Sequence, residues 1–307
     1  MPSVPMGFHR DAFALCRVSI LGLIMYVLIQ QNCNLHKPRD LAHKTQWDMN
    51  LPYLSSSTLI SGRSISYLVP RQILSWKGLI IGVLSSIENT RARAIVRRTW
   101  GYDVEVLFIL AGHPSQVMVE FKAHEDILLL LNENERYNGS YSILPYKTQT
   151  FFHAINTHIE NFSYILKTDD DSFVDVHRLW YQLIREQPDY WGYVWKDARV
   201  IRDPQSRWYV SYDDYPQEVY PNYCSGAGYV LSRSFIACAT LHLSNFSFMP
   251  REDVGTGILA SKCAVAPRHS NSVSHAKPLK KNVTIQHYVK SFQDMFKLWQ
   301  ASSMFNS

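Results

Sequence analysis

The sequence predicts an α/β domain with a largely parallel sheet. Three observations carry that reading. Short apolar runs recur between residues 78 and 167, each about as long as a buried strand. Helix-opening and helix-stopping residues stand between them, so strands and helices alternate. The last of these runs stops at three consecutive carboxylates, Asp169, Asp170 and Asp171, where ligands meet the strand ends of open α/β sheets.

The elements follow in order. Residues 78–84 (GLIIGVL) read as a buried strand, and Asn89 or Thr90 caps a helix that Gly101 stops. Residues 104–110 (VEVLFIL) form a second strand, Pro114 opens a helix through Val117, Val119 and Phe121, and 126–131 (DILLLL) form a third strand. A long helix starts near Pro145 and reaches about Glu160, ahead of a fourth strand at 164–167 (YILK). Residues 191–223 are aromatic and turn-rich, with Trp191, Trp195, Trp208 and Tyr223 among them. A strand follows at 228–232 (GYVLS), then a helix capped by Ser232 and another opening at Glu252.

Composition narrows the class. The chain has 307 residues, 46% hydrophobic and 19% charged, which excludes a disordered protein. The net charge is +5 and the basic residues are dispersed, so nothing points to nucleic acid. Residues 18–29 (VSILGLIMYVLI) form an apolar run with His9, Arg10 and Arg17 before it. No small-x-small cleavage site follows, so 13–29 is read as an uncleaved signal anchor with 1–12 as a cytosolic tail. Residues 30–76 read as a Ser-rich stem, and regular structure is expected from Gly78. Sequons at Asn138, Asn161, Asn245 and Asn282 agree with a secretory lumen, although about two would arise by chance. Cys33, Cys224, Cys238 and Cys263 would share that lumen, and their three pairings stay open.

Like charges as close as the Asp169–Asp171 triplet raise one another's pKa or hold a divalent cation. A solvated acidic turn is the plainer alternative, but the end of a buried strand favours the cation. Hard oxygen ligands favour magnesium or manganese over zinc. A haloacid-type phosphatase would need Thr or Val where Phe173 stands. Arg93 and Arg97 share a helix face, which suits a phosphate or simply a solvated surface. Glu252 and Asp253 suit the first turn of a helix in any protein. His287, in 283–288 (VTIQHY), would by itself be structural.

Together these pieces resemble the beta-1,3-hexosyltransferase family, which includes beta-1,3-galactosyltransferases and beta-1,3-N-acetylglucosaminyltransferases and is related to Fringe. Four of its motifs occur in order, at 93–101 (RAIVRRTWG), 167–174 (KTDDDSFV), 220–232 (YPNYCSGAGYVLS) and 252–257 (EDVGTG). The resemblance implies a GT-A fold, a Rossmann-like mixed sheet flanked by helices, over a lumenal catalytic domain at 77–307. It implies a single-pass type II protein of Golgi or ER membranes that uses manganese (or Mg2+) and a UDP-sugar and inverts the anomeric centre. Galactose is the leading sugar, ahead of N-acetylglucosamine and N-acetylgalactosamine. The acceptor is a glycan on protein or lipid, and assembly with itself or with other glycosyltransferases is allowed.

The resemblance also assigns residues. Asp169, Asp171 and His287 would hold the metal. Ser85, Arg93, Arg97, Lys147, Asp169 and Asp170 would serve the donor. Asp253 would be the general base. Trp195, Trp208, Tyr223, Gly226 and Glu252 would shape the acceptor side. Three features depart from the family pattern: Asp175 replaces a usual Asn, Gly255 replaces a larger residue, and 137–147 is longer than usual. A weakly catalytic glycan-binding member and a nucleotide-sugar hydrolase are the competing readings.

Overall fold

A computed structural model describes residues 52–135, 142–280 and 282–302. The anchor at 13–29, Cys33 and the Asn138 sequon lie outside the described residues. Among the described residues, no helix is long and apolar enough to cross a membrane.

The parallel core is β3 (Lys77–Leu84), β4 (Val106–Gly112), β5 (Ile127–Leu131) and β6 (Asn161–Asp169). These pair in the order β5-β4-β3-β6, all parallel. Alternation along each strand decides what it packs against. Ile80, Leu107, Ile109, Leu128 and Leu130 join one core, whereas Ile81, Val83, Phe108, Ile127 and Leu129 join a second core on the other face. The first core is closed by α3 (Leu144–His158), α5 (Arg233–His242) and α6 (Glu252–Lys262). The second receives Val96 of α1 (Thr90–Arg97), Phe121 of α2 (Met118–His124), Leu179 and Leu183 of α4 (Val176–Glu186), and Met295 and Leu298 of α7 (Phe292–Gln300). The result is a sheet between two helical layers.

The sheet is mixed because antiparallel strands extend both edges. On one side β9 (Tyr223–Ser232) pairs with β6 and β8 (Tyr190–Trp195) pairs with β9, with β10 (Arg268–His269) beyond. On the other, a hairpin of β1 (Tyr53–Ile60) and β2 (Arg63–Pro70) joins β5. This corrects the expectation that regular structure begins at Gly78. The Ser-rich stretch is a hairpin, turned by Ser61 and Gly62, both at positive φ as a two-residue turn requires. Ile65, Tyr67 and Val69 alternate into the core, so period-two burial outweighs the serines. The sequence does not predict strand β8, helix α4 or helix α7; the Tyr-Trp-Gly-Tyr-Val-Trp run of β8 reads as turn-rich but pairs along β9.

A smaller sheet sets the site. In it β12 (Ile285–Gln286) pairs with β7 (Phe173–Val174) on one side and β11 (Val273–Ser274) on the other. Pairing to β7 draws a segment over a hundred residues downstream onto the loop that follows β6. Cys238 and Cys263 form a disulfide that ties α5 to the end of α6, and Cys224 is a buried free thiol.

Candidate active site

The neighbouring strands β3 and β6 end side by side, with Leu84 opposite Asp169. The Ser85 loop and the acidic loop therefore leave the sheet together. The Asp170 backbone N–H donates to Leu84 O at 3.1 Å. The Asp170 side chain accepts from Ser85 Oγ at 2.7 Å and Asn89 Nδ2 at 2.9 Å. Burial nevertheless holds the Asp170 carboxyl above its ordinary value. Trp100 Nε1 donates to Ser172 O at 2.9 Å, so the 93–101 motif braces the far side of the acidic loop.

Asp169, Asp171 and His287 converge. His287 Nε2 is 3.0 Å from Asp171 Oδ1 and 3.5 Å from Asp169 Oδ2. Two backbone bonds hold this approach, from Val289 N to Asp171 O at 2.7 Å and from His287 N to Ser274 O at 2.9 Å. One ligand atom from each of the three residues lies within 4.8 Å of the others. Two carboxylates and an imidazole on one side of an open loop fit a divalent cation with room for further ligands. Burial raises the Asp171 carboxyl, but the His287 contact and the Lys290 charge outweigh it and leave it below the ordinary range.

Lys167, near the end of β6, contacts this group and is 2% exposed. Its Nζ reaches Asp169 Oδ1 at 2.9 Å, Glu252 Oε2 at 3.1 Å and the carbonyl of Gly226 at 2.8 Å. Burial works to lower its pKa, but the two carboxylates win and raise it. Glu252 is buried too and accepts from the Tyr229 hydroxyl, which also bonds Thr256 Oγ1 at 3.0 Å. Desolvation raises Glu252 despite Lys167. Both members of this pair shift upward because the ammonium serves two carboxylates, whereas Glu252 is buried and lies near Asp253 and Asp169.

Asp253, next along α6, is half-exposed. Its Oδ2 accepts from Gly226 N at 3.2 Å and its Oδ1 from Val254 N at 3.0 Å. Gly226 thus joins the acidic loop, through Lys167, to both carboxylates of the 252–257 motif. Of the two, Asp253 is the more exposed, whereas Glu252 is engaged by Lys167 and Tyr229. Gly257 packs so closely that a Cβ there would stand 2.5 Å from Tyr223 Cβ, which explains the glycine.

The basic residues expected at the donor face inward. Arg93 is fully buried, bidentate to Glu120 at 2.6 and 2.8 Å, and donates to Ser85 Oγ at 2.9 Å and to Ser86 O. Arg97 is bidentate to Asp126 at 2.6 and 2.8 Å and also meets Glu120 at 2.7 Å. Lys147 donates to Ser85 O and to both Glu135 oxygens, each at 2.6 Å. Burial lowers the Lys147 pKa despite the adjacent Glu135 carboxylate. Arg93 and Lys147 therefore brace the Ser85 loop, whereas Arg97 secures α1 to the start of β5.

On the other side, Trp195 is paired with Tyr223 across β8 and β9 and packs edge-on against Tyr193 at 5.3 Å and His275 at 5.0 Å. Trp208 stands on a separate loop with Arg207 over its ring at 5.1 Å. Asp175 caps α4 through Arg178 N at 3.1 Å, so this departure from the family pattern keeps a local role. Asn161, Asn245 and Asn282 are exposed. Sequence reasoning missed Glu120, Glu135 and Lys167 as parts of the site. A lysine inside an apolar strand was the available signal for the last, since buried lysines are almost always paired.

The profile of the Galactosyltransferase family matches residues 91–271, a span that includes the acidic loop, Gly226 and Asp253. The chain belongs to the galactosyltransferase family. "Beta-1,3-galactosyltransferase 5" of Mus musculus is 28% identical to this galactosyltransferase-family chain over 247 residues, 73% of it and 78% of the relative. "Beta-1,3-galactosyltransferase GALT1" of Arabidopsis thaliana is 30% identical over 63% of this chain and 32% of its own length. "Lactosylceramide 1,3-N-acetyl-beta-D-glucosaminyltransferase" of Xenopus tropicalis is 31% identical over 62% of this chain and 56% of its own. The chain thus spans about a third and about half of the plant and frog relatives.

Proposed function

We propose that this protein is an inverting, metal-dependent hexosyltransferase that moves a sugar, with galactose foremost, from a UDP-sugar to a glycan hydroxyl in a beta-1,3 linkage. The observation that carries this reading is the convergence of Asp169, Asp171 and His287, with Asp253 joined to Asp169 through Gly226 and Lys167. The names of the mouse and plant relatives support galactose, and the frog relative keeps N-acetylglucosamine as the second sugar.

Asp169, Asp171 and His287 would hold the cation, manganese or magnesium, which offsets the charge of the departing diphosphate. Asp170, Ser85 and Asn89 shape the wall beside it. Asp253 takes the proton of the acceptor hydroxyl as that oxygen forms its bond to the anomeric carbon. The bond from that carbon to the diphosphate oxygen breaks with its electron pair, and UDP leaves from the opposite face. The Gly226 and Val254 amides aim Asp253, and Lys167 keeps Glu252 from competing as a base. Trp195 and Tyr223 offer aromatic faces to the acceptor. The apolar run at 18–29 and the exposed sequons support a type II membrane protein with this domain in the Golgi or ER lumen.

The test uses the full chain made in eukaryotic cells, given UDP-galactose, UDP-N-acetylglucosamine or UDP-N-acetylgalactosamine with manganese and a glycan panel. Transfer from one donor, reduced ~10²–10⁴-fold in Asp253→Asn with UDP binding retained, is the expected result. Equal transfer by the variant removes Asp253 as the base. Sugar release with no gain from any acceptor makes the protein a hydrolase.

A further inference from the structure

An open groove of about 520 Å³ lies at the opposite end of β6 from the acidic loop. Trp180, Tyr164 and Ile184 give it an aromatic and apolar lining, and Gln187, Asp189 and Arg233 line it with polar groups. Trp180 is 37% exposed and Ile184 57%, on the outward side of α4. Asp189 Oδ1 is already engaged by Ser232 Oγ at 2.6 Å and Ser234 Oγ at 2.9 Å, so this rim is rigid. A flat aromatic face beside fixed polar groups is the chemistry that receives a pyranose ring. Its apolar CH face stacks on the ring and its hydroxyl and acetamido groups bond at the rim.

The chain itself names the sugar. Asn161, Phe162 and Ser163 form a sequon, and Ser163 lines this groove. Phe162 turns into the first core, whereas Tyr164 packs against the second and lines the groove together with Trp180. Asn161 is exposed on the first residue of β6, opposite Lys77. The next pair is Gly78 with Phe162, and a Cβ on Gly78 would lie 3.9 Å from Trp180 Cη2. With strands ~4.8 Å apart and residues ~3.3 Å along, the attachment point is on the order of 10 Å from the Trp180 ring. That is the reach of the first one or two sugars of an N-linked glycan.

We infer that Asn161 is glycosylated and that the innermost N-acetylglucosamine residues of its glycan seat in this groove against Trp180. The glycan then clamps α4 to the starts of β3 and β6, at the end of the sheet away from the reacting groups. This inference rests on the lumenal placement proposed above. Its failure is separable from that of the placement, because Asn245 and Asn282 report the compartment independently.

The full chain is made in glycosylating cells and occupancy is read by mass spectrometry site by site. Occupied Asn161 is required, and its glycan should resist release from the native protein relative to those at Asn245 and Asn282. Trp180→Ala should lower the melting temperature by ~2–4 °C more in the glycosylated protein than in Asn161→Gln. It should also speed release at Asn161 alone, with Trp180→Phe largely restoring both. Two outcomes overturn the inference. One is Asn161 unmodified while Asn245 or Asn282 is occupied, which leaves the lumenal placement standing. The other is an occupied Asn161 with equal Trp180→Ala losses in both backgrounds, which assigns Trp180 a packing role only. Bare asparagine at all four sequons, Asn138, Asn161, Asn245 and Asn282, overturns the inference together with the placement.

Discussion

Replacing Lys167 with Met tests the link between the buried charge and the site. The substitution keeps most of the side-chain volume and removes an ammonium that contacts Asp169, Glu252 and the Gly226 carbonyl. Glu252, 8% exposed, is then left charged without its cation, and removing one partner of a buried pair costs about 3–5 kcal/mol. The sign of the pH dependence follows from Glu252. Its folded pKa is raised by burial, so its contribution is fully present below the ordinary value of roughly 4.3 and is lost as pH rises through the folded pKa. Without Lys167 that pKa moves higher still. The deficit of Lys167→Met against wild type should therefore grow from about pH 4 towards neutrality. The wild-type Lys167 is raised, so its own contribution stays constant across that range and fades only at alkaline pH. Urea unfolding without divalent cations, read as a midpoint shift at constant slope, measures this. Adding Glu252→Gln should recover part of the loss. A deficit under about 1 kcal/mol, or one that does not change with pH, refutes the claim that Lys167 is the essential counter-charge.

The other expected outcomes are more local. Asp171→Asn should weaken manganese-dependent UDP binding by about tenfold or more in calorimetry while leaving the fold intact; unchanged affinity would remove Asp171 from the metal site. Arg97→Met should lower stability by about 1–3 kcal/mol through the loss of Asp126 and Glu120, with UDP affinity unmoved, because its guanidinium faces those carboxylates rather than the acidic loop. A large change in UDP affinity at constant stability would return Arg97 to the donor side. Gly257→Ala should cost about 1–3 kcal/mol in thermal unfolding, since the new methyl would meet Tyr223 at 2.5 Å; a neutral substitution would mean that the contact relaxes freely.

Local sequence determined much of this protein. The apolar runs of β3 to β6 are legible because a strand buried on both faces needs no polar alternation, and Asp169 to Asp171 mark where one ends. Ordered motifs identified the family. Other features depended on chain segments far apart. The 53–70 hairpin was hidden because serine on the outward positions masks the Ile65, Tyr67 and Val69 alternation until β5 supplies a partner strand. His287 is an ordinary histidine in sequence; pairing of β12 with β7 brings it to Asp171. Arg93, Arg97 and Lys147 read alike as free cations. Only the packing of α1 and α3 against α2 and the segments flanking β5 sets Glu120, Asp126 and Glu135 against them. Sequence spacing reports what a residue can reach along its own helix or strand. Whether a charge faces a ligand or a counter-charge depends on which other element is packed against it, because burial is tolerated only when the partner is already there.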